Sequence, residues 1–450
     1  MAPPSGRVQA DVNDIREDSI SECAGSEPPL FQPWNLYTEL ERSKFLTVLF
    51  LVSVSGTFDY YVLGVVLEPI KQEFHVSDSQ LGLLGGMCFA LCYALTALPF
   101  ARWSDHGNRC TVLTFALAGW SLMTLLSGFA KTFIQLGIAR LGVGAMQPGE
   151  TPPLQSLIAD YYPPERRAWA LAVTIAGSSL GYLIGVVLGG YIAATLGWRN
   201  SFILSGLAGI ALAILAKQVL REPRNYSQTA HVVEITETLK FSIARLGTKR
   251  SYVGAVAGLS LLMFFSLGVS TFIPSFVIRI LSVSLQQASV TWGISVALSN
   301  LLGTLAGGWL AERLGSREIR WYAWLPAIAC VIGAILYWLA LSATQLWTFI
   351  PLDFAAELVL WTGTFAAWPS IHAVCGAPRR ALAIAIAQFA YILVGSGLGP
   401  LTAGALSDAL NATYDLQSLR YSLQIMTLFL IPAAFAFYLS GHWLRQDVEN

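Results

Sequence analysis

Charge is what this 450-residue sequence has least of: Asp, Glu, Lys and Arg make up 12% of it, 27 basic residues against 27 acidic. Soluble domains carry about a quarter charged residues. A shortage on this scale, beside 55% hydrophobic residues and a mean hydropathy of +0.58, excludes an ordinary water-soluble globule. Zero net charge and the lack of a long basic run exclude nucleic acid as a partner. The six cysteines have no metal-knuckle spacing; Cys88, Cys92, Cys110 and Cys330 fall in or beside apolar stretches and read as packing residues without disulfides. Nor is there a nucleotide-binding loop, a metal cluster or a nucleophile with its base, so primary pumping and hydrolysis lack support and no cofactor is expected. The first forty residues, with "DVNDIREDS" and "SEPPLFQP", lack the basic-then-apolar order of a signal peptide and read as a disordered cytoplasmic tail over 1–42.

What the chain does have is apolar length. Stretches of roughly 20 residues, enough to cross a bilayer, recur about twelve times: 44–67, 79–102, 110–130, 132–158, 166–190, 199–217, 252–280, 286–311, 321–341, 346–374, 381–407 and 418–441. Continuous apolar runs exclude the alternating strands of a membrane barrel, leaving helices as the spanning element. The fold class is an all-α integral membrane protein with twelve transmembrane helices. With both termini cytoplasmic, most Lys and Arg lie inside and only Lys71, Lys131, Arg199, Arg279 and Arg420 lie outside, as the positive-inside rule requires.

The longest internal loop divides the spans six and six. The domains are accordingly a tail over 1–42, a six-helix bundle over 43–217, a linker over 218–251, a second bundle over 252–441 and a short tail over 442–450. In the linker, Val232, Ile235, Leu239 and Ile243 of "VVEITETLKFSIARL" share one helical face, which reads as a surface amphipathic helix or as an irregular linker. The halves echo each other. "ARWSDHGNR" at 101–109 follows the second span and "GGWLAERLGSR" at 307–317 follows the eighth, each with a small residue, an acid and then an arginine at similar intervals. Repeated six-helix halves mark transporters that rock about a midplane site.

These turns, with "VVLEPIKQEFHVSDSQLGLLGG", "ARLGVGAMQPGETPPLQSLIADYYPPERR" and "GTLAGGWLAERLG", resemble the spinster-like branch of the major facilitator superfamily, closest to its bacterial members. Asp105 and Arg109 approximate the loop motif, with Asn108 where most members have glycine. The resemblance implies the major facilitator fold in two pseudo-repeat halves, and alternating-access, proton-coupled transport of a hydrophobic or amphipathic solute. Two positions depart from the branch. Tyr60 stands where it has arginine after the first-helix aspartate, and Gln147 where it has a fourth-helix glutamate.

Ionisable groups inside the membrane are costly and need an account. Asp59 and Arg140 lie at similar depth, about eight residues from the outer ends of their spans, and are read as a proton-coupling or substrate pair or as a fixed ion pair. An aspartate beside an arginine is held ionised, whereas one in an apolar pocket takes up a proton. Glu150, three residues beyond Gln147, is a replacement carboxylate or belongs to the cytoplasmic end of its span. In the tenth span Asp353 and Glu357 share a helical face with Trp361 and Trp368, a stripe suited to a cavity, although each tryptophan alone also reads as packing. Further cavity candidates are Thr57, Tyr60, Tyr61, Gln147, Ser270, Thr271, Pro274, Gln388 and Tyr391, whose hydroxyls also have their own helix as partner.

Gly177, Gly181, Gly185 and Gly189, with Gly303 and Gly307, predict smooth faces on the fifth and eighth helices along which the halves slide or simply pack. Asp105, Arg109, Glu312, Arg313 and Arg317 are read as a cytoplasmic gate, the alternative being solvated surface charge. The reading overall is a monomeric secondary transporter in the bacterial inner membrane whose partners are a small-molecule substrate, protons and the lipid bilayer. The substrate class spans organic acids, aromatic compounds, peptides and lysolipids. An uncoupled facilitator or a multidrug-type exporter is the alternative, with a transport-fold sensor or membrane enzyme behind it.

Overall fold

The computed structural model describes residues 33–223, 239–375 and 380–448, without the side chains of 239–243 and 380–381. Most of the N-terminal tail, Val232, Ile235 and the side chains of Leu239 and Ile243 therefore lie outside the described residues. Among those described the regular structure is helical. In runs this apolar, only the intrahelical ladder can satisfy the backbone N–H and C=O groups.

The first half comprises α1 (Glu39–Phe74), α2 (Asp78–His106), α3 (Arg109–Gly128), α4, α5 (Pro164–Leu196) and α6 (Trp198–Val219). Helix α4 is bent: Phe133–Met146 passes through a 3-10 turn at Gln147–Gly149 into Thr151–Tyr161. Its prolines lack the N–H that a continuous ladder needs. After a short linker helix, Leu239–Thr248, the second half comprises α7 (Arg250–Ile280), α8 (Leu285–Gly315), α9 (Trp321–Ser342), α10 (Leu346–Val374), α11 and α12. Helix α11 runs from Arg380–Tyr391 through a π turn at Ile392–Leu398 into Gly399–Tyr414, and α12 comprises Ser418–Thr427 and Leu430–Asp447. Ten helical stretches are long and apolar enough to cross a membrane; the last, Leu382–Asp447, holds both α11 and α12, and the bent α4 supplies the twelfth span.

Two boundaries bear on the site. Helix α1 starts on a capping box between Thr38 and Glu41 and continues two turns past the predicted span end at 67. Asp59 thus sits near the helix middle, deeper than eight residues from its end. Asn108, where glycine was the family expectation, caps α3 by accepting from the Thr111 N–H at 2.9 Å. Asparagine is among the best residues for that position.

The apolar core is asymmetric along the bundle. One cluster joins Val62, Val66, Ile70, Tyr182 and Val186 of the first half to Phe272, Phe276 and Trp292 of the second, in the end remote from the chain termini. A separate cluster, including Leu49, Leu113, Trp120 and Tyr161, fills the terminal end of the first half alone. The glycine strips differ from expectation. Those of α5 lie on α1, where a Cβ at Gly181 would come 2.4 Å from the Val54 carbonyl oxygen, and Gly303 and Gly307 lie on α10 against Leu358 and Thr362. Each strip packs within its own half. Helices α5 and α8 do meet, but through Gly190 against Ser289 and Gly293 against Val186. Periodicity identifies a smooth face without naming the helix that covers it.

Candidate functional site

Asp59 and Arg140 are both buried and belong to one network inside the first half. The carboxylate accepts from Ser205 at 2.5 Å and Thr124 at 2.8 Å. Arg140 donates to Thr124 at 3.3 Å and Ser127 at 3.1 Å, and its Nη1 is 3.5 Å from the Asp59 carbonyl oxygen. Thr124 therefore bridges the two charges, and no carboxylate–guanidinium ion pair forms. The Arg140 guanidinium also lies over the Phe202 ring, 4.8 Å from its centroid.

One turn along α1, Gly56 is the meeting point for α4. Gln147 donates to the Gly56 carbonyl at 3.0 Å, and the half-buried Glu150 reaches the same place: a Cβ at Gly56 would stand 2.5 Å from Glu150 Oε2. The bend at Gln147–Gly149 turns both side chains toward α1.

Between the halves are two small cavities, of about 20 and 30 Å³, which share Tyr61 and Ser270. Tyr60, Thr271 and Pro274 line the first, together with Trp292; Glu357 and Trp361 line the second, together with Tyr182. Tyr61 and Tyr182 meet edge to face at 4.1 Å. The Tyr60 hydroxyl donates to Ser396 of α11 at 3.4 Å, a polar tie between the halves at mid-depth. Glu357 accepts from the Tyr337 hydroxyl of α9. Asp353, a turn away and fully buried, has neither oxygen in a well-formed hydrogen bond; the Trp292 indole N–H, which has no other partner, interacts with it only weakly. Asp353, Gln147 and Gln388 line neither cavity; Gln388 is exposed, and Tyr391 packs edge to face with Trp368 at 6.3 Å. Thr271 bonds to the Leu267 carbonyl of its own helix.

The residues expected at the gate part company. Arg109 is buried within the first half, where Glu222 accepts from its backbone N–H at 2.6 Å and its Nε at 3.0 Å, and Asp160 lies 2.6 Å from Nη2. Asp105 is exposed, as are Glu312, Arg313 and Arg317, with Arg313 over the Trp309 ring.

Sequence reasoning missed the polar clamp at the opposite end. Arg279, ending α7, donates to Glu68 at 2.5 Å and to both oxygens of Asp78. Lys71 and Ser407 add bonds to Asp78 at 2.7 Å each. Asp408 of α11 accepts the backbone N–H groups of Asp78 and Ser79 at 2.9 and 2.7 Å, so one half caps a helix of the other. Free amides at a helix start favour a carboxylate. The available signal was Arg279 itself, one of five basic residues on the basic-poor side, with acids at neighbouring span ends.

Residues 49–400 match the model of the Major Facilitator Superfamily, and the chain belongs to that family. It is 29% identical over 408 residues to an MFS-type efflux pump of Mycolicibacterium smegmatis, covering 89% of this chain and 93% of that one. To a cis,cis-muconate transport protein of Acinetobacter baylyi it is 26% identical over 302 residues, 63% and 71% of the two chains. A bacterial homolog of the human lysosomal transporter spinster, solved in an inward-facing and unoccupied conformation, superposes with a TM-score of 0.84 at 27% identity, covering 92% of this chain and 100% of that one. The spinster-like resemblance thus extends to the three-dimensional fold.

Proposed function

We propose that this chain is an alternating-access secondary transporter for a small amphipathic or hydrophobic organic solute, coupled to protons through Glu150. The observation that carries the reading is the asymmetry of the half interface. The Glu68–Asp78–Arg279–Asp408 clamp and the shared apolar core tie the halves at the end remote from the termini, while the terminal-end core of the first half stands alone. With both termini cytoplasmic, that is an inward-facing state closed to the outside, in line with the likeness to an inward-facing structure. Of the expected cytoplasmic gate residues, the exposed Glu312, Arg313 and Arg317 are the ones placed to engage when the halves rock the other way, since Arg109 is already committed to Glu222 and Asp160 within the first half.

Glu150 is the coupling group because its carboxylate reaches Gly56 of α1 at the bend of α4 while the residue keeps partial exposure, unlike the fully buried Asp59. Asp59 is shut in by two hydroxyl donors, so its network positions α1 against α3, α4 and α6. Solute flux into vesicles holding the purified protein, with and without a pH gradient, tests this. Gradient-driven accumulation supports coupled transport, and downhill flux alone supports the facilitator reading, which the neutral Tyr60 and Gln147 favour. No flux of any solute rejects transport.

A further inference from the structure

We propose, resting on the transporter reading above, that the solute is an organic cation whose charge is received by Glu357 among the rings of Tyr61, Tyr182 and Trp361. The two cavities between the halves are lined by aromatic, hydroxyl and aliphatic side chains, and Glu357 is the sole carboxylate in either lining; no lysine or arginine contributes. Asp353 stands one helical turn behind it, fully buried with neither oxygen in a well-formed hydrogen bond. The buried arginines of the first half offer no counter-charge here, Arg109 being bound to Glu222 and Asp160. Arg140 is committed to Thr124, Ser127 and the face of Phe202, and it lines neither cavity.

An anionic solute would find no lysine or arginine in either lining and would face two buried carboxyl groups, where the low dielectric leaves its charge uncompensated. An ammonium or phosphonium would instead meet one carboxylate directly, a second a turn away, and aromatic faces that attract cations. Tyr61 and Tyr182, in edge contact at 4.1 Å, come from α1 and α5 of the first half, whereas Glu357 and Trp361 come from α10 of the second. A cation bound here is therefore held by both halves, which is what a rocking mechanism needs for its solute to bias the motion. The cavities hold little more than water in this state, so entry accompanies separation of α1 and α5 from α7 and α10.

The test uses the purified full-length protein with tetraphenylphosphonium and benzoate as probes, read by calorimetry and by quenching of tryptophan fluorescence. Tetraphenylphosphonium is expected to bind and benzoate neither to bind nor to compete. Glu357→Gln should weaken tetraphenylphosphonium about tenfold or more, the scale of losing one charge contact, while Glu357→Asp keeps most of the affinity. Tyr61→Leu supplies a second variant should Glu357→Gln fold poorly, and is expected to weaken binding several-fold. Benzoate binding, no binding of tetraphenylphosphonium, or affinity unchanged in both Glu357→Gln and Tyr61→Leu would each overturn the proposal. Benzoate flux into vesicles would then leave the transporter reading intact, whereas absence of flux for every solute would reject that reading too.

Discussion

Arg279 at the end of α7 grips Asp78 at the start of α2 with two parallel bonds, Nη1 to Oδ2 at 2.8 Å and Nη2 to Oδ1 at 2.9 Å. Both side chains are largely withdrawn from water, at 12% and 3% exposure, and they belong to opposite halves. Such bidentate pairs are strong and directional. The pair is positioned to hold one side of the transporter shut.

Removing one member of a desolvated pair costs about 3–5 kcal/mol because the other charge is left behind. Only the state that makes the pair is penalised, and a differential of about 5.5 kcal/mol inverts a 1:99 equilibrium. Arg279→Gln is therefore expected to populate the state open at this end. A cysteine placed at Ser289, which meets Gly190 across the interface, should gain reactivity toward a membrane-impermeant thiol reagent. Unchanged labelling would show that the apolar core alone holds this end closed.

The clamp was hidden in the sequence for a physical reason. Glu68, Asp78, Arg279 and Asp408 each sit near a span end, where charges ordinarily meet water, and more than 200 residues separate Arg279 from Asp78. The twelve spans were legible because apolar length and backbone satisfaction are local properties, and the paired loops at 101–109 and 307–317 showed the two halves. Asp59 and Arg140 were legible as neighbours, but not the threonine between them. Thr124 looks in sequence like a hydroxyl bonding its own helix, and only the approach of α3 to both α1 and α4 gives it two charged partners.

Replacing Asp59 by asparagine should be felt first as lost stability. Hydrogen bonds to a charged group contribute about 1.5–3 kcal/mol, and Asn keeps the shape while weakening the bonds from Ser205 and Thr124. The variant is expected to unfold several degrees lower in detergent, followed by size-exclusion chromatography after heating. Thr124→Val should lower it similarly, since it unbridges the same pair. A wild-type melting point with abolished proton-driven flux would move Asp59 into the coupling pathway instead.

Glu150→Gln separates coupling from translocation. The amide preserves size and polarity but cannot carry a proton, so accumulation driven by a pH gradient should be lost while exchange of labelled for unlabelled solute at equal pH persists. Measuring both in the same vesicles decides the matter. Gradient-driven uptake that survives in Glu150→Gln places the proton elsewhere.

Two glycines at which α1 is closely approached, Gly181 of α5 and Gly56 of α1 itself, should respond differently to alanine. At Gly181 the new Cβ would lie 2.4 Å from the Val54 carbonyl oxygen, so α1 and α5 must part along a rigid backbone. Gly181→Ala is therefore expected to lower expression and thermal stability, despite the gain of up to about 1 kcal/mol in helix propensity. At Gly56 the new Cβ would meet Oε2 of Glu150 at 2.5 Å, the far end of a flexible side chain that can swing away. Gly56→Ala should keep its melting temperature but displace the carboxylate, reducing pH-gradient-driven flux in the manner of Glu150→Gln. Gly308, with nothing within 4 Å of its would-be Cβ, is the control that should tolerate alanine in both assays. Equal loss of stability at Gly56 and Gly181 would mean that Glu150 is held as firmly as backbone, which would argue against its exchanging a proton during the cycle.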